Sequence, residues 1–252
     1  MDALAQAEGL KKAGRFAEAL KICDEGGPGR EDRHAADVLR ADLLEQVGRY
    51  GQARALAQTL LRSKTISLPQ RSACEFVMAR LDREDGDLDS AVARLRRSAE
   101  LALQGRDPER ACWSQLRLML VLAERSGPDA AAAILPDIRA SVRQLGVPQL
   151  TAAMHIFLGE MEAKRGLSQS GEWHTRLGVQ LLAQDPNIWL ETNAEITSTA
   201  LAIMRADCDR GLVHARRALQ LSEQSGRATS RRIRCLDGPA ECPRRNLQGD
   251  VA

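Results

Sequence analysis

Aromatic side chains are scarce in this chain: three Trp, three Phe and one Tyr among 252 residues. β-Branched residues are few as well, and no segment alternates apolar and polar residues over five positions, so a β-sheet is not expected. No stretch approaches the ~18 uninterrupted apolar residues that a spanning helix needs, which argues against a membrane role. The N-terminus, Met1-Asp2-Ala3-Leu4, offers neither a basic segment nor an apolar run, and a signal peptide is not expected. Catalytic signatures are missing too. There is no Gly-x-Ser-x-Gly, no His-Glu-x-x-His and no Gly-x-x-x-x-Gly-Lys-Ser/Thr. The acidic cluster from Asp82 to Asp89 fails as a calcium loop. Counting from Asp85, Ser90 stands at the glycine position and Arg96 at the closing glutamate. The six cysteines (Cys23, Cys74, Cys112, Cys208, Cys235, Cys242) lack the spacing of a zinc site and read as reduced thiols of a cytoplasmic protein. On these absences no enzymatic activity, cofactor or metal is expected. The net charge of +2 gives no global attraction to nucleic acid, and no direct nucleic-acid binding is expected.

What the chain does have is good helix formers and a repeat. Gly14-Arg15-Phe16 through Ala19 recurs as Gly48-Arg49-Tyr50 through Ala53, 34 residues later, and again from Gly86 to Ala91. Weaker copies begin at Gly127, Gly166 and Asp207. A period of this length marks helix–turn–helix units that stack on their neighbours. Each turn glycine ends a first helix in a left-handed conformation, and the small residue five positions on lets the second helix approach closely. The pattern predicts an all-α solenoid of about six antiparallel helix pairs over residues 1–225. Pro136 falls inside the second helix of unit four and predicts a kink or break. Residues 226–252 carry six Arg against three acids and no repeat signal, and read as a poorly ordered tail. Because no capping helix follows, the bare last repeat leaves a homo-oligomer open as an expectation.

The phrases Leu10–Gly14-Arg15-Phe16–Ala19 and Leu44–Gly48-Arg49-Tyr50–Ala53 resemble the tetratricopeptide repeat, which implies a right-handed α-solenoid that binds peptides or proteins in its concave groove. Long Ala/Leu/Arg-rich units such as His214–Leu221 look like the repeat segments of bacterial transcriptional regulators of the sigma-54-dependent and MalT-like types. In those proteins the repeats serve as sensor or docking surface. The positions matching the family's carboxylate clamp hold Leu4, Glu8, Val38 and Asp42, so the clamp is absent.

Aligning units on their turn glycines sends one set of first-helix residues towards such a groove. Asp42, Phe76, Arg80, Arg83, Arg117, Glu160 and Lys164 are the candidate partner-binding residues. Arginines at the centre suit carboxylates, so the expected partner is an acidic peptide or helix, with a small-molecule or peptide sensor using the same groove as the alternative. His155 reads as a packed or groove-lining residue.

Overall fold

The structure is a computed structural model and describes residues 3–25 and 33–226. The tail predicted for 226–252 lies, apart from Gly226, outside the described residues, as do Cys235 and Cys242. The described residues form thirteen helices and no strand, so the all-α expectation holds.

The helices run in six consecutive hairpins. These are α1 (Ala3–Lys12) with α2 (Phe16–Glu25), α3 (Arg33–Gln46) with α4 (Tyr50–Arg62), and α5 (Leu68–Asp85) with α6 (Leu88–Gln104). Then α7 (Pro108–Ser126) pairs with the broken helix α8 (Pro128–Ala132) and α9 (Leu135–Leu145). The last two are α10 (Pro148–Lys164) with α11 (Ser168–Leu182) and α12 (Ile188–Met204) with α13 (Cys208–Ser225). Each first helix also touches the first helix of the next hairpin, α1 on α3, α3 on α5, and onward to α12.

Local chemistry sets the boundaries. Gly14, Gly48, Gly86 and Gly166 each take a positive φ of 80–87° at the hairpin turn, where a side chain would be strained. In the sixth hairpin that place belongs to Ala206 (φ 58°), so the repeat anchor sits one residue before the Asp207 expected from sequence. Asp207 instead caps α13 by accepting a bond from Arg210 N at 3.1 Å, and Gly211 is the small residue five positions on. Unit four is also tightened by a residue, with Ala131 rather than Ala132 fully buried. Ser67 and Gln70 close a reciprocal capping box at the start of α5. The break predicted at Pro136 is present: the helix stops after Ala132 and restarts at Leu135.

Small residues bring helices together. Ser72, Ser98 and Ser114 are fully buried and share hydroxyl hydrogen bonds of 2.8–3.1 Å across α5, α6 and α7. Between α10 and α11, Gly159, Gly171 and Gly178 leave no room for a Cβ.

The two ends of the array meet. Asn187 Nδ2 donates to the Lys12 carbonyl at 2.7 Å, and Ile188 N donates to the Ala13 carbonyl at 3.3 Å. A Cβ on Gly14 would lie 2.9 Å from Trp189 N, and one on Gly226 would strike Ala17 Cβ. The first hairpin is thereby held against both ends of the last. Among the described cysteines Cys23, Cys74 and Cys112 are free, as expected of reduced thiols.

Candidate functional site

The first-helix residues named from sequence do gather, but their charges are already engaged. Asp42 on α3 accepts from both Arg80 on α5 and Lys11 on α1. Arg80 Nη2 also lies 2.9 Å from Glu45 Oε2, and its guanidinium sits 5.0 Å above the Phe76 ring. Burial alone would raise the Asp42 carboxyl, but Arg80 and then Lys11 outweigh it and hold it well below the usual carboxylate range. Further along, Arg83 grips Glu124 with two bonds, Nε at 2.7 Å and Nη2 at 2.5 Å. Lys164 reaches Glu124 at 3.4 Å and Glu160 at 3.2 Å. A charged strip thus crosses α3, α5, α7 and α10.

Arg117 stands apart from that strip. It is buried beneath aromatic rings, 4.5 Å from the Trp189 centroid and 5.5 Å from that of Phe157. Trp113 and Phe157 each meet Trp189 edge to face with centroids 6.1 Å apart. The arginines expected to receive an acidic peptide therefore make internal contacts: Arg80 and Arg83 pair with carboxylates, and Arg117 packs on rings. An acidic ligand would have to compete with Asp42, Glu45 and Glu124 for two of them.

A second feature escaped the sequence reading. The break before α9 carries that helix away from a close packing along α10 and α11, and a cleft of about 710 Å³ opens among the three. Arg139 and Arg143, one helical turn apart, line it from α9, with Val142 and Met154 as apolar lining. On the other side His155 (α10) and His174 (α11) stack 5.2 Å apart with their Nδ1 atoms at 2.9 Å. Trp173 meets both rings edge to face and is itself 55% exposed. Burial, then His174 and Arg139, pushes the His155 imidazole down to about 4. The His174 imidazole is lowered as well, mainly by burial, with Arg139 adding to the effect and Glu162 opposing it. His155 is thus not merely packed. The signal was present in the sequence: the two histidines flank the Gly166 turn at similar distances, so hairpin symmetry brings them together. Among the described residues no group of three or more His, Cys, Asp or Glu could hold a metal.

No protein-family model matches the chain, and no curated protein is significantly similar to it. Among solved structures, BtubC (BKLC) from P. vanneervenii is similar, with a TM-score of 0.54 and 12% identity. The likeness covers 96% of this chain and 97% of that one. At that identity it speaks to the all-helical fold alone. No helix among the described residues is long and apolar enough to cross a membrane.

Proposed function

We propose that the six hairpins form a right-handed α-solenoid of the tetratricopeptide type, and that the protein is a cytoplasmic interaction scaffold. Its first-helix wall receives a peptide or a partner protein. The observation carrying this reading is the strip itself. Asp42, Arg80, Arg83, Glu160 and Lys164 come from three separate hairpins, and Glu124 from a fourth bridges between them. A wall with regularly placed charges of both signs suits a partner that also carries both signs, which can exchange ion pairs without stranding a charge. From the sequence resemblance alone we also propose that the chain is the docking segment of a bacterial transcriptional regulator.

The test is affinity capture from a cytoplasmic extract with three baits: the unaltered chain, Arg83→Glu with Lys164→Glu, and Arg96→Glu. Arg96 is exposed on the second helix α6, away from the strip. The expected result is a partner retained by the first and third baits and lost from the second, with circular dichroism confirming that all three are folded. The same partners on all three would overturn the reading.

A further inference from the structure

The cleft among α9, α10 and α11 plays no part in the proposed scaffold wall, yet its chemistry is specific. About half of the described arginines pair with a carboxylate: Arg54 with Asp82, Arg94 with Glu75, Arg125 with Asp89, Arg165 with Asp129 and Arg205 with Glu172 are examples. Arg139 and Arg143 have none among the described residues, both are exposed, and no acid lines the cleft beside them. Two guanidinium groups one turn apart form a fork for an anionic oxygen group. Opposite them stands an indole more than half exposed, where an unconstrained Trp would bury itself. The indole is held by two imidazoles that are bonded to each other. When both rings are neutral, the one that accepts that Nδ1 bond must carry its own proton on Nε2, and so keeps a donor in reserve. The volume lies within the roughly 300–1,000 Å³ typical of small-ligand sites.

We infer that this cleft binds a small planar aromatic anion, with its ring against Trp173 and its carboxylate or phosphate oxygens between Arg139 and Arg143. A ring alone would leave the arginine fork unused, and a bare anion would leave the indole in water. Only a ligand with both parts matches the two walls.

The experiment uses the full chain and follows tryptophan fluorescence together with calorimetric titration. The probes are indole-3-carboxylate and adenosine 5′-monophosphate, with inorganic phosphate and indole as controls. The expected result is binding of at least one ring-bearing anion, weakened roughly tenfold or more by Arg139→Ala with Arg143→Ala, and likewise by Trp173→Ala. Because these three side chains are exposed, the variants should fold, and Arg96→Ala should bind as the unaltered chain does. Binding of the carboxylate alone assigns the site to aromatic carboxylates, binding of the nucleotide alone to aromatic phosphate esters, and binding of both to the shared chemistry. Failure of both probes, equal affinity for inorganic phosphate or for indole, or affinity unmoved by the variants would overturn the inference.

Discussion

Replacing glycine with alanine at three helical positions should change stability in opposite directions. Gly178 faces α10, where a new Cβ would stand 2.6 Å from Ile156 Cγ1, 3.0 Å from the Ala152 carbonyl oxygen and 3.2 Å from Ile156 N. Two of those three atoms are backbone and cannot swing aside. Alanine gains about 1 kcal/mol of helix propensity over glycine, while overpacking at a tight helix contact costs about 1–3 kcal/mol. Gly178→Ala is therefore expected to destabilise by up to about 2 kcal/mol, because helix α11 must back away from α10. At Gly211 the nearest atoms to a new Cβ lie 3.6–3.8 Å away, which is ordinary contact. Gly9 is exposed on α1 with nothing within 4 Å. Gly211→Ala and Gly9→Ala should each stabilise by about 0.5–1 kcal/mol, chiefly by restricting the unfolded chain. For a protein of this size 1 kcal/mol moves the melting temperature by about 2–4 °C, so scanning calorimetry resolves the signs. A rise in melting temperature for Gly178→Ala comparable to that of Gly211→Ala would refute the close α10–α11 approach, and a fall for Gly211→Ala would refute the register of the sixth hairpin.

Four further outcomes follow from the geometry. Asp42→Ala should cost about 3–5 kcal/mol in a denaturant titration, since it leaves Arg80 and Lys11 against each other without their shared carboxylate. The same residue makes stability fall in acid. Its folded carboxyl is depressed, so its contribution is complete above the ordinary carboxylate range near pH 4 and is lost as pH drops through that range and below. In an NMR titration the His155 imidazole should protonate near pH 4, below the ordinary value of about 6.5, and should move upward in His174→Ala. The charged or titratable neighbours that set this shift are His174 on α11 and Arg139 on α9, so an unmoved His155 would contradict the stacking. Asn187→Ala removes both the cap on Leu190 N at 3.0 Å and the bond to Lys12 O, and should cost about 1–3 kcal/mol. Faster amide exchange in α1 than in α5 should accompany it, and unchanged exchange in α1 would mean that the ends do not support each other.

The hairpins were legible because their signals are local. A left-handed turn selects glycine at positions 14, 48, 86 and 166 whatever the rest of the chain does. The sixth turn slipped by one residue because Ala206 takes that conformation without being glycine, so composition alone did not mark it. Pro136 announced its own break, since a missing N–H acts on the adjacent turn. The strip residues were also recoverable, because turn-to-turn alignment tells which first-helix positions share a face. Their pairing was not. Whether Arg80 meets a solvent-borne carboxylate or Asp42 depends on how far α3 and α5 are rotated about each other, and that is set by packing of side chains distant in sequence.

The chain's own residues therefore determined the helix content, the six hairpins and the faces that each helix presents, through backbone conformation and the 3.6-residue period acting within a few tens of residues. Tertiary structure alone decided that the strip neutralises itself, that Asn187 reaches the first hairpin 175 residues back, and that a displaced α9 uncovers two arginines opposite an indole. Contacts of this kind join helices far apart in sequence, so they depend on how several interfaces pack together and are written in no single segment.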